Sequence, residues 1–210
     1  MLRTILNNDS LTLLLLLVII LITVAKLINR KRFFSYFKVL INSSYINTYG
    51  KDKKWFDFFN ILLFLAFCLV LSIFIVVLNS HLNFTSFLSV YEVLISVGLF
   101  FGIKIILELS IGKLLESYQF FRYFLFRKIS YRFFLVFFLI PISALLLYHS
   151  SLNINIINAF FFVVVLIQFL TYFIVIKTYF DAIKHNLLYF ILYLCALEIA
   201  PYFILYKHIM

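Results

Sequence analysis

The sequence predicts an all-α, polytopic integral membrane protein: six transmembrane helices with amphipathic helices at the interface. Three observations carry this. The 210 residues are 66% hydrophobic and only 12% charged, where a soluble domain averages about 45–50% apolar and about 25% charged. The apolar residues fall into long unbroken runs, and a spanning helix needs about 20 of them. None of the runs alternates with period two, as the strands of a transmembrane barrel must. The mean hydropathy of +1.14 and the four Gly and two Pro also exclude a disordered or collagen-like chain.

In chain order the runs are 11–28, 58–79, 87–111, 133–149, 156–176 and 187–206. Together they make residues 1–210 one transmembrane domain. The first run could pass for a signal peptide, with Thr23-Val24-Ala25 as its cleavage site. Its charge is on the wrong side, however: Arg3 and Asp9 precede it, and Lys26, Arg30, Lys31 and Arg32 follow. A signal peptide carries its positive charge first, so this run reads as an anchor that is retained. The fourth run is short, and Phe133 and Phe134 are expected at its interface.

Orientation follows from the basic residues. Segments 26–57, 112–132 and 177–186 hold 15 of the 18 Lys and Arg, the opposite side holds Arg3 and Lys207, and Lys104 lies within a span. The positive-inside rule then predicts both termini outside and the basic loops in the cytoplasm. The net charge of +10 is thereby explained by the membrane, and nucleic acid is not an expected partner. Cys68 and Cys195 sit inside apolar runs without CxxC spacing, so neither a disulfide nor a thiolate metal site is expected.

The outer connections, 79–83 and 150–153, are short and polar and read as turns. The inner segment 29–57 is longer. In it Phe33, Phe37, Leu40, Ile41, Ser44 and Tyr45 recur at helical spacing, flanked by Arg32 and Lys38, which predicts an amphipathic helix in the cytoplasmic interface. Residues 118–131 read similarly, with Phe120, Phe121, Phe124 and Leu125 beside Arg122, Arg127 and Lys128. Such basic side chains are expected to snorkel toward anionic headgroups. The competing reading is a docking site for a cytoplasmic partner.

Ionisable groups in hydrocarbon each cost about 2.5–3.5 kcal/mol on insertion scales, so they point to pairing or to function. The third run carries Glu92, Lys104 and Glu108, the sixth carries Glu198, and the fifth has the uncharged Gln168. Lys104 and Glu108 are four apart and share a helix face. Glu198 has no basic residue in its own span. An interhelical Lys104–Glu198 contact shared with Glu108 is therefore the expected solution. It is either a packing clasp or a proton or ion relay. Pro201, three residues after Glu198, predicts a bend that frees a carbonyl near the carboxyl group, and Pro141 predicts another bend in the fourth span. Gly98 and Gly102, followed by Gly112, offer a small-residue face for close helix packing, within the chain or in a homodimer. Two halves of three spans would also suit an inverted repeat, but no internal similarity supports one.

His81, His149 and His208 fall at outer ends of spans and His185 at an inner one, without ligand spacing for a metal or haem. No metalloprotease, hydrolase, nucleotide-loop or dinucleotide motif occurs. No cofactor, metal or catalytic residue is expected.

The C-terminal run Tyr193-Leu194-Cys195-Ala196-Leu197-Glu198-Ile199-Ala200-Pro201, followed by Tyr206-Lys207, resembles the ending of a family of Bacteroidota integral membrane proteins, a domain of unknown function. The third span with Lys104 and the basic linker leading to Pro141 are also similar. The resemblance covers most of the chain from about residue 30. It implies the same topology, directs attention to Lys104, Glu198 and Pro201, and supplies no reaction.

The functional expectation is a non-catalytic protein of the bacterial inner membrane, a scaffold or accessory subunit of a cell-envelope complex. Its partners would be the lipid bilayer and other membrane proteins or copies of itself. The alternatives are a small proton- or ion-coupled transporter using an intramembrane carboxylate, and a lipid-modifying membrane enzyme. A continuous polar path would favour transport; a dry core with a local ion pair would favour the scaffold.

Overall fold

The computed structural model describes residues 8–37, 48–49, 57–82, 89–114, 118–148 and 154–184. Among these residues every element is an α-helix. Five stretches are long and apolar enough to cross a membrane: Asp9–Ile28, Phe58–Ser80, Val90–Ser110, Tyr123–Tyr148 and Asn155–Val175. The expected sixth span, 187–206, lies outside the described residues.

Helix α1, Asn8–Ile28, has Asp9 in its first turn and Lys26 in its last, which suits the helix dipole at both ends. Leu11, Leu15, Val18 and Ala25 form its buried stripe against α3, while Leu13, Leu16, Ile19 and Ile20 face outward. Only Asn29 separates it from α2, Arg30–Phe37, because the Phe33 amide already bonds the Asn29 carbonyl at 2.9 Å.

Helix α3, Phe58–Leu82, is the hub. It packs on α1, on the next helix α4 and on α6. Its apolar stretch is 61% buried. Buried residues follow one another with little periodicity (Leu62, Leu63, Ala66, Phe67, Cys68, Val70, Ile73), as expected of a helix apolar all round.

Helix α4, Val90–Leu114, begins with a capping box. The Ser89 amide donates to Glu92 Oε2 at 3.2 Å, and the Glu92 amide donates to Ser89 Oγ at 3.3 Å. Glu92 therefore closes a helix end. Val93, Phe101, Lys104 and Glu108 form its inward stripe, and Tyr91, Ile95, Leu99, Ile103, Ile106 and Leu107 face out.

The next two helices correct the sequence reading. Helix α5 runs Tyr118–Phe134 and α6 runs Val136–Tyr148, with Leu135 alone between them. At the joint the Leu135 amide bonds Arg132 O at 3.1 Å and the Phe138 amide bonds Leu135 O at 3.0 Å, a local tightening to i+3 spacing. The helix continues through Pro141 and breaks at Leu135 instead. The apolar stretch starts at Tyr123, not at Phe133, and 56% of it is buried. From Phe124 on, this segment does not present its basic side chains outward as expected: Phe124, Leu125, Phe126, Arg127 and Lys128 are all buried. The physical reason is that apolar side chains lie on every face of this helix, which only a bundle interior satisfies.

Helix α7, Ile154–Lys184, has 31 residues and so extends for about 46 Å, beyond the ~30 Å of hydrocarbon and past the expected end at 176. It packs mainly on α5, and only 11% of its apolar stretch is buried.

Helix α2 also departs from expectation. It docks on the bundle, burying Arg32, Phe33 and Tyr36, with Phe34 and Phe37 outward. Phe33, Phe37, Phe134 and Phe137 form an aromatic knot, with the Phe37 and Phe137 centroids 4.6 Å apart. The remainder of the predicted interfacial helix, Leu40, Ile41, Ser44 and Tyr45, lies outside the described residues.

Candidate functional site: a buried basic cluster between three helices

The short connection between α4 and α5 makes them antiparallel neighbours, which sets the second half of α4 along the second half of α5. On α4, Lys104 and Glu108 are one turn apart on the inward stripe. On α5, Lys128 and Arg132 have the same spacing. The Lys128 Nζ–Glu108 Oε1 distance is 2.6 Å, with the side chains 4% and 2% exposed. A charge-assisted bond that short between groups that dry is a strong one, and both groups would be costly to bury alone.

The neighbouring cations rest on aromatic rings. The Arg132 guanidinium lies 4.9 Å from the Phe101 centroid, Lys128 Nζ lies 5.9 Å from that of Tyr172, and Lys104 Nζ lies 6.0 Å from that of Phe100. Ring quadrupoles attract cations at such distances, more so without water. Arg127 is buried as well. Between α5 and α7, Lys128, Tyr131, Arg132, Gln168, Thr171 and Tyr172 enclose a cleft with free space of about 10 Å³. That is at the threshold for one water molecule. Thr171 Oγ1 donates to Gln168 O at 2.8 Å.

A second polar group ties α2 to the bundle. Arg32 donates to Asp57 Oδ2 at 2.6 Å, with its guanidinium 4.8 Å from the Tyr49 ring and 5.1 Å from the Phe59 ring. The Tyr36 hydroxyl donates to the backbone carbonyl of Ser130, joining α2 to α5.

The sequence-predicted site is partly assembled here. Lys104 and Glu108 are both buried, as a cost argument requires, but Glu108 pairs with Lys128 on the neighbouring helix. Gln168 joins the same region. Glu198 and Pro201 lie outside the described residues. Gly98 and Gly102 are not at a tight crossing among the described residues: a Cβ at either would meet nothing within 4 Å. The burial of Arg127, Lys128 and Arg132 is not foreseen, because their charge assigns them to the cytoplasmic side, the first two on an interfacial helix. The signal available was the all-round apolar character of α5.

Chemically, the cluster can bond a carboxyl group to an amine away from water and fix the register of α4 against α5. Among the described residues no three His, Cys, Asp or Glu side chains gather into a metal-ligating group. A family model described as Domain of unknown function (DUF4271) matches residues 11–209. The chain belongs to this family. The match takes in the seven helices named above, from the fourth residue of α1 on, and extends over the C-terminal residues that include Glu198 and Pro201. No curated protein and no solved structure matches the chain.

Proposed function

We propose that this protein is a non-catalytic multi-pass component of the bacterial inner membrane, a scaffold or accessory subunit of a cell-envelope complex, with both termini outside. One observation carries the reading. Five of the six buried ionic residues among those described, Lys104, Glu108, Arg127, Lys128 and Arg132, gather in one cluster between α4 and α5. The sixth, Arg32, pairs with Asp57 beside α3, and the rest of the buried core among the described residues is apolar but for a few hydroxyls. A transport path needs polar groups distributed through the depth of the bundle. From Leu62 to Val77, α3 has one hydroxyl, Ser72, and it bonds the Cys68 carbonyl at 2.7 Å. Ser143 on α6 likewise bonds its own helix, at Ile140 O.

The orientation rests on the charge count. Of the 15 basic residues assigned to one side, Arg32, Arg127, Lys128 and Arg132 are buried. Eleven remain against two, so the bias survives. The resemblance of the C-terminal run to Bacteroidota membrane proteins supports the inner membrane.

The test is reconstitution of the full chain into vesicles with an imposed potassium–valinomycin potential and a pH-sensitive dye. Proton entry should be no faster than in vesicles without protein. Flux that disappears in Glu108→Gln would overturn the scaffold in favour of a carboxylate-based transporter. In cells, a photo-crosslinker at the outward Ile103 should capture the same membrane protein reproducibly. Capture of lipid alone would refute an accessory-subunit role.

A further inference from the structure

Helix α2 has two faces. Arg32, Phe33 and Tyr36 point into the bundle, where the Asp57 pair, the bond to the Ser130 carbonyl and the aromatic knot hold them. Arg30, Phe34 and Phe37, at i, i+4 and i+7, face outward with Lys31 beside them, and all four are exposed. Lys26, exposed in the last turn of α1, sets its Nζ 6.0 Å from the Phe34 ring centroid. Arg30 and Lys31 stand four and three positions before Phe34, so they neighbour the same ring. Three cations thus gather round one outward aromatic side chain. The two ion pairs among the described residues join Arg32 to Asp57 and Lys128 to Glu108, and neither includes these cations. The large apolar side chains next to them in the chain are exposed as well: Leu27 is 82%, Ile28 47% and Phe37 42% exposed, and the apolar stretch of α1 ends at Ile28.

We propose that this junction of α1 and α2 is a binding site for an anionic phospholipid. Lys26, Arg30 and Lys31 hold the headgroup phosphate, and Leu27, Ile28 and Phe37 meet the upper part of the acyl chains. Charge complementarity selects the phosphate. The exposed apolar side chains select a lipid over a soluble anion, which gains nothing from them. Arg32, expected from the sequence at the headgroups, is turned inward, and the role passes to the three outward cations. Because the inward face of α2 is fixed to the bundle, its outward cations are held in place rather than snorkelling independently, which lowers the cost of ordering them round one phosphate. A Lys or Arg near the surface favours anionic lipid by about fivefold.

The experiment uses the full chain, with its one native tryptophan removed by Trp55→Phe, in symmetric vesicles whose phosphatidylglycerol or phosphatidylcholine is brominated near the headgroup end of one acyl chain. Symmetric vesicles make the outcome independent of the chain's orientation and of the scaffold reading. A reporter placed by Phe34→Trp should be quenched by the brominated phosphatidylglycerol at a mole fraction at least about fivefold lower than by the phosphatidylcholine. A reporter placed by Leu13→Trp, outward near the other end of α1, should respond to both lipids alike. Lys26→Gln, Arg30→Gln and Lys31→Gln should each lower the ratio at the Phe34 position, by up to about fivefold. Lys177→Gln, which removes an exposed cation of α7, should leave it unchanged. Equal quenching by both lipids at the Phe34 position would overturn the proposal, as would a preference of the same size at Leu13. A ratio that none of the three variants lowers, or that Lys177→Gln lowers as much, would mean a general surface charge effect and would overturn it too. So would a Phe34-position reporter that neither lipid reaches, which would mean that a protein segment covers the junction. If a charge variant fails to accumulate, the comparison between the two reporters decides alone.

Discussion

Removing either member of the Glu108–Lys128 pair should destabilise the bundle, and the two losses should be unequal. Breaking a buried pair by deleting one partner costs about 3–5 kcal/mol. For a chain of this size each kcal/mol shifts the melting temperature by about 2–4 °C, so a drop of about 6–20 °C is expected. The surroundings set the asymmetry. Glu108 is the one buried acid among the described residues, and Lys104, Arg127 and Arg132 are buried with Lys128 on the same two helices. Glu108→Leu removes the one buried acid among the described residues from a cluster of four buried basic residues and should fall at the upper end. Lys128→Met leaves Glu108 with Lys104 one turn away on its own helix, and should fall at the lower end. In Glu108→Leu/Lys128→Met a lost attraction is offset by a lost desolvation cost, so the double variant should melt above Glu108→Leu. The assay is thermal melting in detergent followed by size-exclusion fluorescence, with the four proteins compared at one pH. A double variant whose loss equals the sum of the singles would refute the coupling.

Tyr36→Phe keeps the ring packed on Phe59 and Phe134 but deletes the bond to the Ser130 carbonyl. It should cost about 0.5–1.5 kcal/mol in the same melting assay, and no change would show that the Tyr36 hydroxyl adds nothing to the aromatic knot and the Arg32–Asp57 pair. A cysteine placed at Ser80 or Ser151 should react with a membrane-impermeant maleimide from outside, and one at Ser43 or Ser117 should not. The reverse pattern would invert the proposed orientation.

The membrane-spanning helices were legible because hydrocarbon imposes one rule on every residue in it: apolar runs of sufficient length must be helices. Five of the six predicted runs meet described helices, and the burial of Lys104 and Glu108 followed from cost alone. The partner of Glu108 did not follow. A charge count treats Arg127, Lys128 and Arg132 as water-seeking, whereas Phe101, Tyr172 and Glu108 on other helices make the interior habitable for them. That compensation is tertiary, and no local window contains it. The break at Leu135 was not foreseen: it shows as i+3 bonding at Leu135 and Phe138, between a helix that packs mainly on α4 and one that packs mainly on α3.

The placement of the cations also bears on how the chain could be built into a membrane. A segment with Arg127, Lys128 and Arg132 inside a 26-residue apolar stretch is a poor candidate to insert by itself, since each basic residue near a helix centre costs about 2.5–3.5 kcal/mol. Helix α4 supplies Glu108 and Phe101, and it precedes α5 in the chain across a short connection. Insertion of the two as a hairpin lets the pair and the ring contact form as the basic residues leave water. The Glu108–Lys128 contact then matters first as a condition for entry and only afterwards as a contribution to the finished fold. On this argument Glu108→Leu should lower the amount of chain that reaches the membrane by more than its melting temperature alone would suggest.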